Sequence, residues 1–367
     1  MYTTIRNEFC LLPKSKIKAG EGIDNGNYPF FTSSDIKVSS LDSYEYDDEI
    51  VVIGTGGKPS CNYVNGKFSF STDNYALKAK GKIEPKFLYY FLRKDGLATL
   101  QNGFHGAGLQ HISKDYILNI EIPAFEKSKQ QTIVRVLDDI HGMILACQKQ
   151  LTLLDELIKS RFIEMFGYVD KNTKRFITKQ MDEVCKVTSS HRVFTTEFVK
   201  EGIPFYRGKE IGELSAGIKP ETPFYISKEH YKELSSDDTK PKIGDILIPS
   251  ICNKGQVWMV NTEEPFYYKD GRVLSISPNS DLFNCKYFET YFKLKSLEEY
   301  PKLGSGSTFA EFKIFILKEM DIIVPPIELQ NEFAAFVEQV DKSKFVVQER
   351  IKLYQELLDK KMDEYFN

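Results

Sequence analysis

Apolar residues step by threes and fours along two stretches of this chain, with an interval of 200 residues between them. Ile133, Leu137, Ile140, Ile144, Cys147, Leu151, Leu154, Ile158 and Met165 form one heptad seam. Phe333, Val337, Val340, Val347, Ile351, Tyr354, Leu358 and Tyr365 form the other. The interruptions recur too: Arg161 and Lys361 break the seams at the same step, and Phe166 matches Phe366. This spacing puts apolar side chains on one helical face. Each stretch suits a helix of about 40 residues, roughly 60 Å long at 1.5 Å per residue. Gly142 reads as a break between a short first segment and the long helix, and Gly167 as a C-terminal stop. A seam this apolar needs a partner. The two copies are expected to pack on each other antiparallel, with a globular domain at each end of the pair.

Outside the helices the period shortens. Residues 1–125 read as short strands and loops. Glu49 to Ile53 is a β-branched strand, and Gly54-Thr55-Gly56-Gly57-Lys58-Pro59-Ser60 is the loop after it. Asn65-Gly66, flanked by Tyr63–Val64 and Lys67–Phe70, predicts a hairpin. An aromatic helix follows at Phe87 to Arg93, then a turn at Gly103, Gly106 and Gly108, a helix start at Ser113, and a strand reaching Pro123. Residues 168–326 replay this order. Ile203–Tyr206 echoes Tyr28–Phe31, and Gly244 to Ile248 echoes Asp48 to Val52. Lys286 to Leu294 echoes the aromatic helix, and Gly304 to Thr308 echoes the glycine turn. The chain therefore divides into a domain (1–125), a helix (126–167), a related domain (168–326) and a second helix (327–367). The fold class is α+β, a pseudo-twofold repeat of globular domain and long helix.

Composition narrows the class. Apolar content of 41% with 28% charged residues is that of a water-soluble globular protein. No run approaches the roughly 20 apolar residues of a membrane span, and the first residues lack a signal-peptide core. The six cysteines are scattered without CxxC pairs, which suits reduced thiols in the cytoplasm. Residues 1–125 carry 14 basic and 14 acidic side chains, and 168–326 carry 23 of each. No domain is broadly basic, so nonspecific binding of nucleic acid by the chain alone is expected to be weak.

Catalytic motifs are poorly represented. Gly54–Ser60 lacks the GxxxxGK[ST] phosphate cradle. Asp281 with Glu311-Phe312-Lys313 has the look of a metal-nuclease set, but such spacing arises easily by chance. Pro325-Pro326 lacks both the flanking amide or acid and the aromatic of a methyltransferase motif, and no histidine pairs with a nucleophile. No cofactor or metal site is expected, and the chain is read as non-catalytic.

The duplicated order resembles the specificity subunits of type I restriction–modification enzymes. The helix starts carry the resemblance: Val324-Pro325-Pro326-Ile327-Glu328-Leu329-Gln330 fits that family closely. Ile122-Pro123-Ala124-Phe125-Glu126 departs by the loss of the second proline and by two extra residues before the helix. Gly106-Ala107-Gly108-Leu109-Gln110-His111-Ile112-Ser113 and the aromatic segments Tyr28–Phe31 and Ile203–Tyr206 are also similar. The short stretch before Pro13 departs from longer members of the family, which implies a first domain trimmed relative to theirs. The resemblance implies that each domain is a target-recognition domain reading one half of a bipartite double-stranded DNA target. It also implies that the helices are spacers on which two methyltransferase subunits dock, with restriction subunits joining the complex. A coiled-coil scaffold whose domains bind protein or peptide is the rival reading.

Candidate DNA-contacting residues follow from the loops. Glycine amides and Lys58 in Gly54–Ser60 can grip phosphate. At the equivalent place in the second domain, Ser250, Asn253, Lys254 and Gln256 offer base-reading amides and a cation. Arg207 and Lys209 follow an aromatic strand. Ser305, Ser307, Thr308 and His105 sit in glycine turns where phosphate can approach closely. For each, a plain solvated loop or tight turn is the alternative. These loops are expected on one side of the molecule, with half-sites about 34 Å apart.

Overall fold

A computed structural model describes residues 1–366 apart from 36, 238 and 305–309. The chain divides into two units, Met1–Leu151 with Val346–Asn367, and Thr152–Phe345. Both seams are helical throughout, one helix spanning Lys127–Phe166 and the other Ile327–Phe366. Gly142 does not break the first, contrary to expectation. It lies on the exposed side with open space around its missing side chain. A single exposed glycine costs only about 1 kcal/mol in a helix that tertiary packing holds together.

Each unit contains the start of one long helix and the end of the other. In the first unit Ile133 and Leu137 share a core with Met362 and Phe366. In the second, Phe162 and Phe166 share one with Phe333 and Val337. The pairing is therefore antiparallel within each unit, as the seams require. Near the helix ends the buried positions depart from the heptad. Phe162 and Phe166 are buried in the first helix, and Met362 and Phe366 in the second, while Met165 and Tyr365 are only half covered. A helix of 3.6 residues per turn drifts from a 7-residue repeat, so the seam moves from 158 to 162 rather than to 161.

In the first unit a six-stranded sheet has the order Phe9–Leu11, Asn74–Ala79, Tyr46–Gly54, Cys61–Phe70, Tyr28–Phe31, Ser39–Leu41. All neighbours are antiparallel except Tyr28–Phe31, which runs parallel to Cys61–Phe70. Val51 and Ile53 face the core that holds the helices, and Ile50 and Val52 face a second cluster with Phe68 and Phe70. Asn65-Gly66 forms no hairpin. It lies in mid-strand opposite Glu49 and Asp48, and Gly66 at φ +125° gives the strand the freedom to run through.

The second unit has the same plan with one strand divided. Cys185–Ser189, Val273–Pro278, Ile246–Pro249 and Trp258–Met259 form one antiparallel sheet. Tyr225–Ile226, Ile203–Tyr206 and Tyr267–Tyr268 form another, whose last pair is parallel. Cys61–Phe70 thus corresponds to two short strands separated by a loop, and Asn65-Gly66 marks the place of the interruption.

The equivalence of the central strands is shifted by one residue from the sequence match. Ile246 and Ile248 face the helix-side core, as Val51 and Ile53 do, and Leu247 faces the opposite cluster, as Val52 does. Both segments are wholly apolar here, so composition cannot distinguish registers that differ by one, although every side chain changes face.

The two domains begin with equivalent strands. Tyr2–Thr4 pairs with Glu121–Pro123 just as Ile177–Gln180 pairs with Asp321–Val324. Ile5 N donates to Ile120 O as Met181 N donates to Met320 O, both at 3.0 Å. Nor are there extra residues before the first long helix. Gln130 N donates to Glu126 O as Gln330 N does to Pro326 O, so Phe125 and Glu126 stand where Pro325 and Pro326 stand. The helix starts correspond by capping geometry, whereas the prolines only favour it.

Candidate nucleic-acid interface

In the first domain, turn chemistry brings two glycine-rich loops together. Phe104–His105 and His111–Ile112 pair as a hairpin, whose bend needs glycine at 106. There φ is +139° and a Cβ would lie 2.8 Å from Leu109 O. The hairpin docks on the loop after the central strand: Gly57 N donates to Gln110 O (3.0 Å) and Ile112 N to Thr55 O (3.1 Å). His111 Nδ1 lies 3.2 Å from the same Thr55 carbonyl. Lys58 and His105 are both exposed on this composite surface, and Lys58 has no side-chain partner among the described residues.

The second domain repeats the junction. Phe312 N donates to Ser250 O (2.7 Å), the counterpart of Ile112 to Thr55, and Ser250 N donates to Arg272 O (2.9 Å), the counterpart of Thr55 to Asp73. Ser250 is consequently buried, at 2% exposure, and serves the junction through its backbone. Asn253 and Lys254 are exposed on the loop beyond. Gln256 is half-buried and braces that loop, its Oε1 accepting from Lys254 N (3.0 Å) and its Nε2 donating to Asn253 Oδ1 (3.5 Å). Lys209 is exposed and paired with Glu213 at 3.3 Å. Ser305, Ser307 and Thr308 lie outside the described residues. Glu311 pairs with Arg272, while Asp281 is exposed and accounted for by a turn with Asn279.

Arg207 is the most tightly held cation here. Its backbone N–H caps the helix Gly208–Ser215 against Glu210 Oε2 (2.8 Å). Its guanidinium reaches Glu210 Oε1 (2.9 Å) and stacks on Phe224 at 4.4 Å. Burial alone would push the Glu210 carboxyl up, but hydrogen bonds from the Arg207 side chain and amide outweigh it and hold it below the usual value. Arg207, Gly208, Pro249, Ser250, Lys269 and Arg272 line a cleft of about 290 Å³. Lys269 and Arg272 were not singled out from the sequence. The signal present was a cation-bearing turn after the aromatic run Phe266-Tyr267-Tyr268. Its meaning depends on the parallel pairing of Tyr267–Tyr268 with Phe205–Tyr206, which local pattern does not reveal.

The thiols beneath these loops are core groups. Burial pushes Cys61 up to about 12 and Cys252 up to about 11, far from the range of a reactive thiolate. Among the described residues no helix is long and apolar enough to cross a membrane.

The sequence profile of the type I restriction modification DNA specificity domain matches residues 8–154 and 174–355. The chain is 24% identical over 354 residues to the type I restriction enzyme specificity subunit S.HindORF215P of Haemophilus influenzae, covering 93% of this chain and 87% of that one. It is 22% identical over 347 residues to the MjaVIII specificity subunit of Methanocaldococcus jannaschii, covering 86% and 80%. In fold it is similar to the S subunit of the type I restriction–modification system of M. genitalium, with a TM-score of 0.57 at 17% identity over 100% of this chain and 96% of that one. Two matched copies of the domain, covering most of the residues, place this chain in the type I restriction–modification DNA specificity family.

Proposed function

We propose that this chain is the non-catalytic recognition subunit of a cytoplasmic type I restriction–modification complex. Residues 1–125 and 168–326 each read one half of a bipartite duplex. The helices in 126–167 and 327–367 set the spacing and carry two methyltransferase subunits, which restriction subunits join. The observation that carries this reading is the duplication itself, which extends to individual hydrogen bonds: a repeated body suits two half-sites and two copies of one partner. The neutral balance of each domain fits a subunit that supplies base readout while its partners add backbone grip. Within the domains we assign phosphate contact to Lys58 and base contact to Asn253, with Lys254 next to it on the same loop.

Exchanging residues 1–122 for the same domain of another family member, in a host carrying the methyltransferase, tests the reading. Methylome sequencing is expected to show one half of the target changed and the other kept. Both halves changing, or no methylation depending on this chain, would overturn it. A domain that binds protein or peptide instead would leave the methylome untouched.

A further inference from the structure

Equivalent hydrogen bonds recur at the strand junctions of the two domains, so single positions there can be compared across them. Ser71 N donates to Phe31 O (2.8 Å) as Lys269 N donates to Tyr206 O (2.9 Å). Thr55 N donates to Asp73 O as Ser250 N donates to Arg272 O, both at 2.9 Å. Thr32 and Arg207 each follow the aromatic strand. Thr32, Ser71 and Asp73 in the first domain therefore occupy the places of Arg207, Lys269 and Arg272 in the second. One neutral-to-acidic site has become a site with three cations, although both domains carry equal numbers of acids and bases.

The three cations are not equally available. Arg207 is committed to buried Glu210 and acts as a fixed wall. Arg272 gives one nitrogen to Glu311 (2.9 Å), leaving other donors of its fork, and its side chain is 58% exposed. Lys269 has no side-chain partner among the described residues. Both of these line the cleft of about 290 Å³ together with Gly208, Pro249, Ser250 and Ile251.

We propose that this cleft binds a phosphodiester of the DNA backbone through Lys269 and Arg272, which makes the second domain the electrostatic anchor of the subunit. The first domain, with Ser71 and Asp73 at these places, grips phosphate without an equivalent. The proposal rests on the DNA-recognition reading above. Two phosphate contacts in one domain displace counterions there, and their loss registers in the salt dependence of binding.

The test uses the full chain assembled with the methyltransferase subunit of its own host, titrated by fluorescence anisotropy onto a labelled duplex over a series of KCl concentrations. Replacing Lys269 and Arg272 together by alanine is expected to flatten the slope of log affinity against log salt by about 2, and Lys269→Gln alone by about 1. Lys269→Arg is expected to keep the slope. Lys228→Ala with Lys232→Ala, the same charge change on the exposed helix Lys228–Leu234, is also expected to keep it. If the wild-type complex binds no duplex, the recognition reading fails and the cleft assignment with it. If it binds and Lys269→Gln keeps the wild-type slope, the cleft assignment alone is overturned. An equal change in the Lys228/Lys232 variant would overturn it too, because general charge would then explain the effect.

Discussion

Gln130 and Gln330, both fully buried, hold the same three hydrogen bonds in the two units. Gln130 Oε1 accepts from Glu84 N (2.9 Å), and its Nε2 donates to Lys82 O and Phe125 O. Gln330 Oε1 accepts from Asn284 N (3.0 Å), and its Nε2 donates to Leu282 O and Pro325 O. Every partner is displaced by the same interval as the glutamines. Each carboxamide ties the start of a long helix to the start of an aromatic helix, where backbone groups have no intrahelical partner. Globular domain and long helix are thereby fastened at a polar clip as well as by apolar packing.

Removing that clip leaves one N–H and two carbonyls beside a buried site without their partner. Gln330→Ala is expected to destabilise the second unit by about 3 kcal/mol, with Gln130→Ala doing the same in the first. Urea unfolding followed by tryptophan fluorescence reports the second unit through Trp258. A loss below about 1 kcal/mol would show that water replaces the amide.

The aromatic cluster at the helix crossing supplies the larger share. Phe333 packs 5.6 Å from Phe162 and 5.5 Å from Phe166, centroid to centroid. Phe333→Ala is expected to cost about 3–5 kcal/mol. Charging the seam should grade with burial: Leu137→Asp, at a fully buried position, is expected to prevent folding of the first unit. Leu151→Asp, at a half-covered one, is expected to cost less. Circular dichroism melts of the two variants check the order.

Acid should weaken the second domain through Glu210. Its folded carboxyl binds a proton less readily than the ordinary glutamate value of 4.5. In that window the unfolded chain carries more protons, so stability rises with pH. The contribution is complete above the unfolded value and is lost as pH falls through the folded one. The stability gap between wild type and Glu210→Gln is therefore expected to be constant above about pH 6 and to narrow as pH falls past the ordinary glutamate value of 4.5 and then through the lower folded one. A gap that does not narrow on acidification would remove Glu210 as its source.

Two loop substitutions should separate grip from readout. Lys58→Ala is expected to weaken binding to all duplexes alike and to flatten the salt slope by about 1. Asn253→Ala should relax discrimination at a single base pair by about 1–3 kcal/mol. Competition binding against a panel of singly substituted targets distinguishes these outcomes. A uniform loss for Asn253→Ala would assign it to the backbone.

Much of the architecture is present in one-dimensional periodicity. The two helices, their shared interval and their need for an apolar partner are all carried by residues three and four apart, which are neighbours on one helix wherever it goes. The same locality made Ser113 readable as a cap, where its Oγ accepts from Tyr116 N at 3.1 Å. Asn65-Gly66 shows the limit, since a sequence that favours a turn in isolation is overruled by eight paired residues of the antiparallel partner, Tyr46 to Ile53.

What the chain alone determined, then, is its duplication, its helices and the family those features point to. Only the tertiary structure decided the registers of the central strands, the burial of Ser250 and the meeting of Arg207 with Lys269 and Arg272. Those depend on strands far apart in sequence lying side by side. Tyr267–Tyr268 finds Phe205–Tyr206 through a pairing whose register is set by which faces can be buried together. No window of neighbouring residues contains that choice.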